Sequence, residues 1–134
     1  MAAGPPSAEW KVKVDPAAFR EVLSTRWRDI LLTPLDTCGL VALFGDRYHA
    51  IWSATSGPML RALIFSYCVF APRQNWMTCD YFPTRSTALY DTVAVYLAYS
   101  EELVQVETIC FQVTDDGFTR RAPDGPYTAR VAIR

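Results

Sequence analysis

The stretch Cys38-Gly39-Leu40-Val41-Ala42-Leu43-Phe44-Gly45-Asp46-Arg47-Tyr48-His49-Ala50-Ile51-Trp52-Ser53-Ala54 is the one on which the fold turns. It scans as two apolar strands joined by a two-residue Gly45-Asp46 turn, because both residues tolerate the positive φ that a tight hairpin demands. It also holds the only histidine of the chain and one of its four cysteines. A thiol nucleophile and a base in one short stretch make it the first place to look for chemistry.

Counting the register of that hairpin removes the attraction. Phe44 stands opposite Arg47, Ala42 opposite His49, and Cys38 opposite Ser53. Cys38 and His49 then share a face but lie four residues apart along the strands, roughly 13 Å at ~3.4 Å per residue. A nucleophile and its base must meet within about 3 Å. A cysteine-dependent hydrolase therefore ranks third among the functions considered, and the expectation leans away from an enzyme.

Outward from the hairpin, Glu9–Val14 alternates, with Trp10, Val12 and Val14 against Lys11 and Lys13, as a half-solvated strand does. Asp15 and Pro16 then supply an N-cap and an N1 proline. The apolar stripe Phe19, Val22, Leu23, Trp27, Ile30, Leu31 marks an amphipathic helix running to Thr33-Pro34. After the hairpin, Met59–Phe70 reads as a buried strand, with a helix opened by Pro58 and striped by Leu60, Leu63, Ile64 and Tyr67 as the competitor. From Thr87 the chain reads β-rich, again with a helix competing over Val93–Tyr99. Leu103–Val113 reads as a strand with a bulge near Glu107-Thr108. Asp115-Asp116-Gly117 and Pro123-Asp124-Gly125-Pro126 are turns, with a short strand over Phe118–Ala122 between them. Tyr127–Arg134 alternates as a last strand that could lie at a sheet edge.

The expected fold is α+β: an antiparallel β-meander curled around one N-terminal amphipathic helix, in the order β-α-β-β-β-loop-β-β-β-β. Residues 1–8 form a flexible N-terminus and 9–134 a single domain.

Composition narrows the function. Hydrophobic residues make up 51% and charged residues 20%, which suits a folded chain, and a net charge of −1 gives no global field for nucleic acid. No apolar run reaches the ~20 residues of a membrane helix, and residues 1–8 lack the features of a secretory signal. Cytoplasm or nucleus is the expected compartment, without membrane insertion. Four cysteines without a C-x-x-C pair, beside one histidine, make no zinc site of ordinary spacing. No phosphate loop is present, and neither metal nor cofactor is called for.

The residues that best resemble a binding surface lie in the aperiodic segment Ala71–Ser86. Arg73, Trp76, Tyr81, Phe82 and Arg85 combine aromatics with arginine, the mixture found at interface centres, on a connection long enough to be functional. The leading expectation is a non-catalytic interaction domain. It would bind another protein or a second copy of itself through this loop and an edge strand. The alternative is an α+β cup holding a small apolar ligand between helix and sheet.

Overall fold

The computed structural model describes residues 6–54, 57–74 and 83–133. The chain is α+β, with a four-stranded mixed sheet. It divides into two compact units, Met1–Gly39 with Tyr90–Arg134, and Leu40–Leu89.

The first unit carries the sheet. Its helices are α1 (Trp10–Val14), α2 (Pro16–Ser24) and α3 (Leu35–Cys38), and its strand β1 is Leu31–Leu32. After the second unit come the last helix, Tyr90–Leu97, and the strands β2 (Val106–Val113), β3 (Thr119–Arg121) and β4 (Tyr127–Ala132). The strand order is β1-β4-β2-β3. β4 lies antiparallel to β2, with Ile109 opposite Ala129 and Phe111 opposite Tyr127. On its other side β4 runs parallel to β1, with Leu31 opposite Arg130. Val12, Phe111, Val113 and Ala129 form the buried core, packed round by Phe19, Leu23, Ile30, Leu32, Tyr127 and Val131. Since β-strand side chains alternate, Ile109, Phe111 and Val113 share the face that α1 and α2 cover.

Two glycines fix the turns that bring these strands together. Gly117 has φ +83, and a Cβ there would stand 2.5 Å from Lys13 Cα. A Cβ on Gly125 would meet the Phe111 carbonyl oxygen at 2.4 Å. Only a residue without a side chain lets α1 and the β2 backbone come so close.

Helix α2 is shorter than expected, ending at Ser24 instead of running to Thr33-Pro34. Asp15 caps it as expected, accepting from Ala18 N at 2.9 Å. Its end is set by side chains that bind its last carbonyls: Ser24 Oγ donates to Arg20 O, Thr25 Oγ1 to Glu21 O and Trp27 Nε1 to Val22 O. Such local bonds compete with continued helix.

In the second unit, α4 is Gly45–Trp52 and α5 is Pro58–Phe70, followed by a 3₁₀ turn at Ala71–Arg73. The hairpin is therefore absent. Gly45 does take a positive φ of 60°, but as the first residue of α4. Tyr48 and Trp52, one helical turn apart, put their rings 5.9 Å from each other. The first arm of the expected hairpin is extended yet pairs elsewhere. Phe44 bridges Arg85, Ser86 N donates to Leu43 O at 2.9 Å, and Leu89 N to Val41 O at 2.8 Å.

Five further readings are corrected. Residues 10–14 are helical: Val12 is buried while Trp10 and Val14 are exposed, so the three do not share one strand face. Residues 59–70 follow the helical stripe that Pro58 opens, and 90–97 are likewise helical. β2 carries no bulge, since its register with β4 is unbroken from Val106 to Phe111. The meander is replaced by a sheet with β4 in its interior, so the last strand is not an edge.

Replacing Gly117 or Gly125 with alanine should lower the unfolding free energy of the first unit by about 2 kcal/mol or more. Gly45→Ala, where nothing stands within 4 Å of the new Cβ, should cost only about 1 kcal/mol for its left-handed backbone. Urea unfolding of the three variants checks the order.

Candidate functional site

Of the five residues expected to form an interface, Arg73 and Arg85 fall within the described structure, and Trp76, Tyr81 and Phe82 lie outside the described residues. Arg73 ends the 3₁₀ turn after α5 and is exposed. Arg85 is exposed too, and its backbone bridges Phe44.

The segment before that loop has the stronger surface character. Helix α5 is PMLRALIFSYCVF, in which Arg61 is the only charged residue, and none of its thirteen residues is buried. Leu60, Ile64 and Tyr67, spaced at four and three, are its half-buried side. A second row, Met59, Leu63, Ser66 and Phe70, runs at the same spacing and faces outward, with Met59 83% exposed and Phe70 52%. Phe65, 69% exposed, occupies the opposite flank. There it lines a groove of about 630 Å³ with Trp52, Arg61 and Cys68. Leu63, Ser66 and Phe70 line another, of about 290 Å³. A helix that is apolar all round is ordinarily buried all round, and this one is not. The competing helix read from the sequence put Leu60, Leu63, Ile64 and Tyr67 in one stripe, whereas Leu63 belongs to the outward row.

The first unit holds a cleft of about 300 Å³ between its N-terminal helices and the core face of the sheet. Val12, Phe19, Phe111 and Val131 supply apolar walls, and Glu9, Thr33, Asp36 and Arg121 are also in its lining. Near it, Cys38 ends α3 and is buried. Burial pushes its thiol above the ordinary value of 9.0, and the neighbouring Thr33 hydroxyl offsets part of that rise. Thr33 Oγ1 is itself buried and makes no hydrogen bond of proper geometry. A thiol held protonated is the reverse of an activated nucleophile. His49, the other half of the proposed dyad, is an exposed residue of α4 in the second unit. Among the described residues no three His, Cys, Asp or Glu side chains group as metal ligands, and no helix is long and apolar enough to cross a membrane.

Because its pKa is raised on folding, Cys38 contributes stability that is complete below the unfolded value and is lost as pH rises through the folded one. As pH rises above about 8.5, the ordinary thiol value, Cys38→Ala should therefore lose less stability than the wild type, as read by urea unfolding at each pH. Iodoacetamide should modify exposed Cys68 well before Cys38, as peptide mass mapping would show.

Compared with known proteins, the chain matches no family model, no curated protein and no solved structure.

Proposed function

We propose that this chain is a non-catalytic interaction protein whose second unit offers the outward row of α5 to another protein, with a second copy of the chain as the first partner to test. The observation that supports this reading is the exposure of Met59, Leu63 and Phe70 on a helix with a single charge. Covering a side chain of this size contributes about 1.5–3 kcal/mol when burial is complete. Three of them on one helical row make a compact apolar anchor of the kind that amphipathic helices use in grooves. Arg73, exposed just past the end of α5, adds a polar margin to the apolar row.

The experiment is sedimentation velocity over a concentration series, with wild type beside Leu63→Asp and Phe70→Asp. Wild type should self-associate in the micromolar range, and each charge should weaken the association by about tenfold or more, since a carboxylate cannot be buried there unpaired. Phe65→Asp, on the other flank of α5, should weaken it less. Circular dichroism should show all three variants folded, since the replaced side chains are exposed. A wild type that stays monomeric, or variants that associate as it does, would overturn self-association through this row.

A further inference from the structure

The outward row of α5 has a hole in it, and the hole has the form that a second helix fills. Leu63, Ser66, Tyr67 and Phe70 border a groove of about 290 Å³. They stand at positions i, i+3, i+4 and i+7, the four that receive one side chain of a facing helix in knobs-into-holes packing. Ser66 leaves the gap because it is the one small residue of the row, between the exposed Leu63 and Phe70. Its hydroxyl is already used: Oγ donates to the Ala62 carbonyl at 2.8 Å, so covering it leaves no unpaired donor. Tyr67 is held in place as the flanking wall, its hydroxyl 2.8 Å from Thr87 Oγ1.

The row also carries the knob for its own hole. Met59, Leu63, Ser66 and Phe70 are spaced four, three and four, a pattern that reads the same in both directions. Turned end for end about a point between Ile64 and Phe65, a second copy of α5 sets Leu63 opposite Ser66 and Met59 opposite Phe70. The large side chain then meets the small one, and the thioether meets the ring, a favourable contact. Two helices laid in the same direction would instead face Ser66 with Ser66 and leave the hole empty. Charge favours the same choice. Arg61, the only charge of α5, lies off the row, so the contact buries no charge. The first turn of the helix contains no acid, its last turn no base, and Gly57 gives it no side-chain cap. The partial charges at its two ends are therefore uncompensated by its own side chains, and an antiparallel neighbour brings the opposite end to each.

On the reading that this row self-associates, we propose that two copies of the chain pair through antiparallel α5 helices, with Leu63 of each seated in the groove beside Ser66 of the other.

Mixing two variants of the full chain in sedimentation velocity tests the direction of pairing. Met59→Glu should weaken self-association by about tenfold, because its carboxylate faces the Phe70 ring of the other copy, and Phe70→Lys should weaken it comparably. Mixed in equal amounts, the two variants should associate about tenfold more tightly than either alone. The mixed pair keeps one Met59–Phe70 contact and, at its other end, sets the new carboxylate against the new ammonium. Both replaced side chains are exposed and each new charge suits its end of the helix, so circular dichroism should show both variants folded. A second measurement reads the geometry itself. In a Cys68→Ser background, Met59→Cys mixed with Phe70→Cys should form a 59–70 disulfide between chains in oxidised glutathione, identified by peptide mass mapping. Neither variant alone should bridge at its new position, since like positions stand roughly 16 Å apart along the axis at ~1.5 Å per residue. A wild type that stays monomeric would overturn the pairing together with self-association. Self-association with no gain on mixing, or with 59–59 and 70–70 bridges in the single variants, would overturn the antiparallel pairing alone.

Discussion

The first unit depends on the placement of β4 between β1 and β2. It pairs with β2 from Tyr127 to Ala132 and with β1 at Arg130 and Val131, and the sheet changes from antiparallel to parallel across it. Ion pairs reinforce the arrangement from one side chain. The Arg130 guanidinium reaches Asp29 at 2.8 Å and Glu101 at 2.5 Å, and these two carboxylates hold its proton more firmly than water would. All three groups keep contact with solvent, so each pair contributes modestly. Their joint effect is to fix β4 laterally. Thr37 adds a buried hydrogen bond from Oγ1 to the Ala132 carbonyl at 2.7 Å, tying α3 to the end of the strand.

The two units distribute their apolar residues differently. In the first, the sheet face and two short helices enclose Phe111, Val113, Val12 and Ala129. In the second, the buried aromatic anchor is Tyr48 on α4, while the more apolar α5 keeps no residue fully inside. Among the described residues of this unit, only α4, the 3₁₀ turn and the extended segments accompany α5. The outward row is what remains uncovered.

What could be read from the sequence follows how local the determining physics is. The β2–β3 and β3–β4 turns were legible because Asp116-Gly117 and Asp124-Gly125 leave the backbone few choices. The Asp15-Pro16 start of α2 was legible because a cap and a proline act within one turn. Residues 10–14 and 45–52 were misread because alternation over five to eight residues also fits a short helix in which one residue, Val12 or Tyr48, faces inward. Gly45-Asp46 opens a helix as readily as it turns a hairpin, and the choice was made by distant residues, since Val41–Phe44 pairs with the segment 85–89. The parallel β1–β4 contact had no local signal at all: two leucines reveal nothing about a partner far along the chain. For the same reason the sequence suggested a recess between helix and sheet but not its lining. Glu9, Thr33 and Arg121 come together only through that long-range pairing.

That pairing sets the order of events during synthesis. Asp29 and Arg130 are 101 residues apart, and a ribosome adding roughly 5–20 residues per second makes the first wait roughly five to twenty seconds for the second. Throughout that interval β1 lacks its neighbour and the core face that α1 and α2 must cover does not exist. The α5 segment emerges meanwhile, with one charge in thirteen residues. Nascent chains in such a state are clients for whatever shields apolar surface at the ribosome exit. For this protein the interval between α5 and β4 is when shielding by a chaperone competes most directly with aggregation.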